Sequence, residues 1–248
     1  MKPIQLVPLE GVPLLRPGDD LAATLAGAAK RASVVDGDLL VVCQKAVSKT
    51  EGRVVDLRRV AVSRVAERLG REIEKDPRIV EVILAESRRV VRIEQKHLIV
   101  ETRQGFVCAN AAVDESNSLD DSIVIVLPED ADASAKRLRT ALAALLGFDM
   151  PVLITDTFGR PWREGLVEVA IGVSGFSPML DFRGKRDLTG RELHHTVVAV
   201  ADELASAAGL LMEKDRGVPA VLVRDYPFQR GNGSAAELLR ERSKDLFR

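Results

Sequence analysis

Asp156 and Thr157 stand where an apolar run turns polar, within Val152–Glu164 (VLITDTFGRPWRE). Val152, Leu153 and Ile154 read as a buried strand that ends at Thr155-Asp156-Thr157, and Gly159 and Pro161 are expected to stop helix and strand alike. In an open α/β sheet, ligands gather beyond the carboxyl ends of the strands. A carboxylate and a hydroxyl placed there, with Arg160 and Arg163 behind them, suit a hard divalent cation surrounded by phosphate oxygens. Taken alone, the pair is explained as readily by an aspartate that caps the next loop.

Asp114 and Asn117 follow a second apolar run, so two strand ends could bring oxygens from distant segments onto one ion. Two carboxylates and a threonine hydroxyl suffice for octahedral Mg²⁺ or Mn²⁺, which fills its other positions with waters and nucleotide phosphates; they are too few for a protein-only calcium cage. Both aspartates could equally be loop caps. Gln44, Lys45, Ser48 and Lys49 come just after the strand Leu39–Cys43, where lysines either reach phosphate as point charges or line a solvated loop. No GxxxxGK[ST] precedes a helix, which excludes a P-loop. Arg183, Lys185, Arg186 and Arg191 cluster in Asp181–Glu192, as a local anion site or a charged surface loop. The turn Met212–Gly217 (MEKDRG) either closes over a nucleotide or ends a helix. His194 and His195 are neighbours on a helical pattern, so they diverge and form no metal pair. A G-x-S-x-G elbow is missing, which sets aside that hydrolase class.

The elements that must position these groups alternate unevenly. Strands are predicted at Ile4–Val7, Leu39–Cys43, Val54–Leu57, Ile123–Leu127 and Pro219–Arg224, with a hairpin at His97–Thr102 and Phe106–Ala109 and an apolar run at Leu166–Val173. Helices are predicted after Asp19 or Asp20, over Ser63–Leu69 with Gly70 as its stop, from Asp76-Pro77 to about Ser87, and over Ser134–Leu146. A long Ala-rich helical pattern covers Arg191–Met212, and a short amphipathic helix follows Gly233. The expected fold class is α+β: a two-lobed mixed-sheet protein, neither a P-loop nor a Rossmann domain.

With 248 residues, 46% hydrophobic and 29% charged, the chain can bury a sizeable core. A net charge of −1 argues against a global grip on nucleic acid or an anionic membrane, and 4% aromatic residues leave little for base stacking. Cys43 and Cys108, both in strand-like runs, read as buried thiols of a reducing compartment. The amino-terminal residues lack a secretory apolar run and no stretch approaches the length of a membrane span. The expectation is a cytoplasmic protein.

The ordered segments LEGVPLLRPGDDL, VVCQKAVSKTEGRVV, DPRIVEVILAESRRVVR, GFVCANAAVDESN, ITDTFGRPWREGLVEVAIGVSG, DFRGKRDLTGRELHHTVVAVADELASAA, GVPAVLVR and DLFR together resemble the coenzyme F420-0:L-glutamate ligase family, also called F420 gamma-glutamyl ligases, nearly end to end. They are also similar to the ligase half of the bacterial bifunctional form, which continues into a flavin-reductase-like domain after a similar DLFR. The chain is therefore expected to be a single ligase module over 1–248, of two intertwined lobes, without that second domain.

The resemblance implies a homodimeric enzyme that uses GTP and divalent metal to join L-glutamate, and further gamma-linked glutamates, to a deazaflavin phospholactate substrate. The route is an acyl phosphate, with release of GDP and phosphate. Mg²⁺ or Mn²⁺, as two ions, and K⁺ are implied. So are Asp114, Asp156 and Thr157 as metal ligands, with Asp156 and Lys49 catalytic. Guanine-nucleotide contacts fall on Pro13, Leu14, Leu15, Arg16, Gln44, Lys45, Lys49 and Asn117, and on the turn Glu213, Lys214, Asp215, Arg216, Gly217 and Val218. In that turn Glu213 replaces a glycine frequent in the family, which leaves Glu213 and Asp215 as candidates for a further metal ligand. Ala112 stands where a glycine is common. The competing readings are another nucleotide-dependent carboxylate–amine ligase and a non-catalytic GTP- and metal-binding protein.

Overall fold

The computed structural model describes residues 2–94, 96–116, 120–213 and 215–245. Strand β1 (Gln5–Pro8) leads to helix α1 (Leu21–Arg31), whose first turn is capped by Asp20, its carboxylate accepting from the Ala23 amide at 2.9 Å. Leu21, Leu25, Ala28 and Ala29 are buried, as their helical spacing predicts. Strand β2 (Leu39–Cys43) passes into α2 (Gln44–Thr50) with no residue between them. Next come β3 (Val54–Asp56), α3 (Arg64–Glu72) and α4 (Pro77–Ala85), the last opened by the Asp76 cap with Pro77 at its first position. Strands β4 (Ser87–Glu94), β5 (His97–Thr102) and β6 (Val107–Ala109) form an antiparallel sheet, while β7 (Ile123–Ile125) pairs with β3. Helix α5 (Ala131–Leu146) precedes the long hairpin of β8 (Val152–Arg160) and β9 (Arg163–Ser174). The short pair β10 (Leu180–Asp181) and β11 (Val197–Val198), helix α6 (Val200–Gly209) and β12 (Ala220–Arg224) complete the order.

The central sheet runs β1-β12-β2-β8-β9, with β2 and β8 parallel and the other neighbours antiparallel. Alternate residues serve two cores, which is why these strands read as continuous apolar runs. Leu40, Val42, Val152, Ile154 and Leu222 pack with α1 and α5; Leu39, Val41, Leu153, Val221 and Val223 pack with α6. A third apolar cluster joins α3 and α4 to β5 and β7. The start of β2 is clamped to the end of β12 by Arg224, whose guanidinium donates to both oxygens of fully buried Asp38 at 2.9 and 2.8 Å. Helix α5 sits so close to β9 that a Cβ on Gly172 would lie 2.4 Å from the Ala131 carbonyl oxygen. The result is a mixed α+β sheet protein, as the uneven alternation predicts. Among the described residues, no helix is long and apolar enough to cross a membrane.

Several local expectations are overturned. Strand β8 does not stop at Thr155: residues up to Gly159 stay extended because each pairs across to β9, and the reversal falls later, at Pro161 and Trp162, the latter with φ +56°. Residues Gln44–Thr50 are helix, not loop, because Ala46 and Val47 bury against the core. The Ala-rich helix begins only at Val200, so His194 and His195 lie in the exposed stretch before it. Helix α3 continues past Gly70, which instead admits the Lys75 carbonyl oxygen 2.8 Å from where a Cβ would sit. Helix α5 starts three residues before Ser134, at Ala131, capped by Asp130. Short 3-10 turns at Ala235–Leu238 and Arg242–Lys244 replace the amphipathic helix expected after Gly233.

Candidate functional site

Parallel pairing of β2 with β8 ends at Cys43 and Thr155. Beyond that point β2 becomes α2 while β8 runs on with β9 alone, and a cleft of about 470 Å³ opens between them. That volume lies in the range of small-molecule sites. One wall is α2, through Gln44, Lys45 and Lys49; the other is Thr155, Asp156 and Thr157 of β8 with Glu168 of β9. Asp114 lines it from a third segment, residues Val12, Pro13, Leu14 and Leu15 from a fourth, and the turn holding Met212, Glu213, Asp215, Gly217 and Val218 from a fifth. Sequence-distant Asp114 and Asp156 therefore meet in one cleft.

The backbone before Asp114 is strained. Asn110, Ala111 and Ala112 take φ of 55°, 53° and 56° in succession, a left-handed turn that each Cβ opposes. The turn is held by the Leu98 amide donating to the Asn110 side-chain oxygen at 3.2 Å and by Asp114 bridging to Ile125. Strain of this kind persists where the surroundings over-determine it, which is common at functional sites. It delivers the Asp114 carboxylate to Lys45, whose ammonium lies 2.7 Å away and also donates to the Ser116 carbonyl oxygen at 3.0 Å and hydroxyl at 2.8 Å. Burial pushes the Asp114 carboxyl up, but Lys45 and the Ser116 donors outweigh it and leave the pKa below the ordinary value.

Among the described residues, no cationic side chain forms an ion pair with Asp156. Burial, reinforced by the charges of Glu168 and Asp114, raises its carboxyl to about 8, despite the opposing Thr157 amide and Lys45. Lys49 is almost fully buried, and burial together with the Lys45 charge lowers its pKa. The Thr157 hydroxyl donates to Glu168 Oε1 at 2.5 Å. Two buried oxygens, Thr155 Oγ1 and Glu168 Oε2, have no hydrogen-bond partner among the described residues. Unpaired buried oxygens and a carboxylate that resists ionisation mark a place where positive charge is missing. Among the described residues, no group of three or more His, Cys, Asp and Glu forms a ready protein cage. An all-oxygen, incomplete set fits Mg²⁺ or Mn²⁺, which retain waters and phosphate ligands, and does not fit a thiolate or imidazole metal.

Of the predicted contacts, Pro13, Leu14, Leu15, Gln44, Lys45, Lys49, Asp114, Asp156, Thr157, Glu213, Asp215, Gly217 and Val218 line the cleft. Arg16 and Arg216 do not. The Arg16 amide donates to Asp19 at 2.7 Å, and the Arg216 guanidinium pairs with Glu213 at 2.8 Å. Asn117 and Lys214 lie outside the described residues. The basic segment also stands apart from the cleft: Arg183 is spent on Asp181, and Arg186 donates to the Gly190 carbonyl oxygen. Sequence reading missed Thr155 and Glu168. Only the hairpin register, which sets Glu168 opposite Thr157, would have revealed the latter.

A family model for F420-0:Gamma-glutamyl ligase matches residues 11–225, a span that holds every wall of this cleft. The chain belongs to the F420-0:gamma-glutamyl ligase family. Among its relatives, the coenzyme F420:L-glutamate ligase of Methanothermobacter thermautotrophicus is 46% identical over 250 residues, covering 99% of each chain. The enzyme of the same name from Methanopyrus kandleri is 48% identical, covering 99% of this chain and 97% of the relative. That from Methanocaldococcus jannaschii is 39% identical over 246 residues. Likeness to these F420:L-glutamate ligases thus extends over all five segments of the cleft.

Proposed function

We propose that this chain ligates L-glutamate to coenzyme F420-0, with GTP converted to GDP and phosphate and a divalent cation bound at Asp114, Asp156 and Thr157. The convergence of those three residues with Lys45 and Lys49 in one cleft carries the reading, and the ligase names of the full-length relatives support the substrate. A carboxylate is a poor acyl donor because oxide is a poor leaving group. Transfer of the γ-phosphoryl group to the acceptor carboxylate forms an acyl phosphate and releases GDP. The glutamate amine then attacks the acyl carbon, loses a proton and expels phosphate. Asp114, Asp156 and Thr157 would hold the divalent cation, which when bound would supply positive charge to offset that developing on the transferring phosphoryl group.

Lys45 and Lys49, fixed on α2, orient the phosphates from one wall, and the loop Val12–Leu15 with the turn Met212–Val218 encloses the nucleoside. The homodimer belongs to the same proposal: exposed Trp162 and Leu166, close to the tip of the β8–β9 hairpin, offer apolar surface for it, and light scattering tests it. The activity test incubates the protein with GTP, Mn²⁺, glutamate and F420-0 labelled with ¹⁸O in its terminal carboxylate. Glutamyl adducts and one ¹⁸O in the released phosphate are expected. Phosphate without label refutes the acyl phosphate, and GDP release only with a different acid refutes the acceptor. Asp156→Ala should abolish turnover with the fold intact; normal turnover in that variant removes Asp156 from the site.

A further inference from the structure

We infer that Glu168 is the positioning residue of the cation site: one of its oxygens fixes the Thr157 hydroxyl and the other is left for the cation's shell. The inference rests on the proposed metal reading of Asp114, Asp156 and Thr157. A threonine hydroxyl can face a cation only through its oxygen lone pairs, so its proton must be held elsewhere. Glu168 Oε1 accepts that proton at 2.5 Å, across the register pair Thr157–Glu168 of the hairpin. Partners that orient a ligand in this way typically account for 10–100-fold in metal affinity.

The second oxygen carries the argument further. Glu168 lines the cleft, and its Oε2 is buried with no hydrogen-bond partner among the described residues. A carboxylate oxygen so placed costs stability unless something positive or protic arrives. The backbone is built to hold it there. The Ser206 hydroxyl donates to the Glu168 carbonyl oxygen at 2.9 Å, and Gly209, at the end of α6, leaves room for the side chain. A Cβ on Gly209 would lie 2.6 Å from Glu168 Cγ and 3.2 Å from its Cβ. A helix-terminal glycine that accommodates one acidic side chain is an arrangement that a solvent-facing glutamate would not need.

The test titrates Mn²⁺ alone into wild-type protein, Glu168→Gln, Gly209→Ala and Asp156→Asn, following free Mn²⁺ by electron paramagnetic resonance. Thermal melting in EDTA is recorded alongside. Glu168→Gln, which keeps the shape and one acceptor oxygen, should weaken Mn²⁺ binding at least tenfold without lowering the melting temperature in EDTA. Gly209→Ala, which crowds Cγ and leaves the carboxylate chemistry unchanged, should weaken it by a smaller factor. It also serves as the decisive variant if Glu168→Gln fails to fold. Wild-type Mn²⁺ affinity in Glu168→Gln, or in Gly209→Ala where only that variant folds, overturns the inference, while loss of binding in Asp156→Asn leaves the metal reading standing. Absence of Mn²⁺ binding by the wild-type protein overturns both.

Discussion

Replacing Asp156 with asparagine should make the metal-free protein more stable, and increasingly so as pH rises. Burial holds the native carboxyl protonated up to about pH 8, while in the unfolded chain it ionises near pH 4. Between those values the native state binds one proton more than the unfolded state, so stability falls with pH by about 1.4 kcal/mol per unit. The contribution is full below about pH 4 and lost by about pH 8. From pH 5 to pH 8 the ceiling is about 4 kcal/mol; because Asp156 opens onto a solvated cleft, we expect about half, ~2 kcal/mol. Asparagine cannot ionise, so this decline disappears from the variant. Urea denaturation followed by circular dichroism in EDTA, for both proteins at pH 5 and pH 8, isolates the effect as a change in their stability difference. Adding Mn²⁺ and GTP should reverse the order, since only the wild-type protein gains binding free energy. A stability difference that stays constant from pH 5 to pH 8 in EDTA would refute the account of Asp156 as a carboxylate waiting for a cation.

Ala112→Gly should stabilise the protein by about 0.5–1 kcal/mol, because relief of one left-handed Cβ clash exceeds the added entropy of the unfolded chain; a loss of stability in chemical denaturation would count against the strained turn. Asp38→Ala should cost about 3 kcal/mol in the same measurement, since it leaves the Arg224 guanidinium and the Val35 amide without their carboxylate. A cost under 1 kcal/mol would mean the clamp is replaceable. Cys43 and Cys108, with thiols raised by burial to about 11 and about 12, should react with a disulfide reagent at pH 8 on the order of a hundredfold more slowly than after denaturation. Equal rates before and after denaturation would contradict the raised pKa of both thiols.

The central strands were legible because residues buried on both faces spell unbroken runs such as LLVVC and AVLV, and the capped helices because Asp20 and Asp76-Pro77 announce them. The hairpin was obscured by Gly159 and Pro161, which read as punctuation; pairing to β9 carries the strand through the first and the turn absorbs the second. Helix α2 has only seven residues, and Gln44, Ala46, Val47, Ser48 and Lys49 are buried on all sides of it, so no amphipathic period registers. The length of α6 was overestimated because its Ala-rich pattern continues backwards into residues whose backbone forms β11 instead. At the site, the two aspartates stood out by type and place, whereas Glu168 depends on cross-strand register, a relation between segments that no local pattern contains.

The seamless junction of β2 with α2 limits how this family can change. A single inserted or deleted residue between Leu39 and Thr50 would rotate the helix by roughly 100° and exchange the face bearing Lys45 and Lys49 for the one bearing Ala46 and Val47. Length variation among homologues should therefore be absent from this stretch and accumulate in exposed connections such as the one between β10 and β11. New specificities of this wall of the cleft, whether evolved or engineered, would have to arise here by substitution alone.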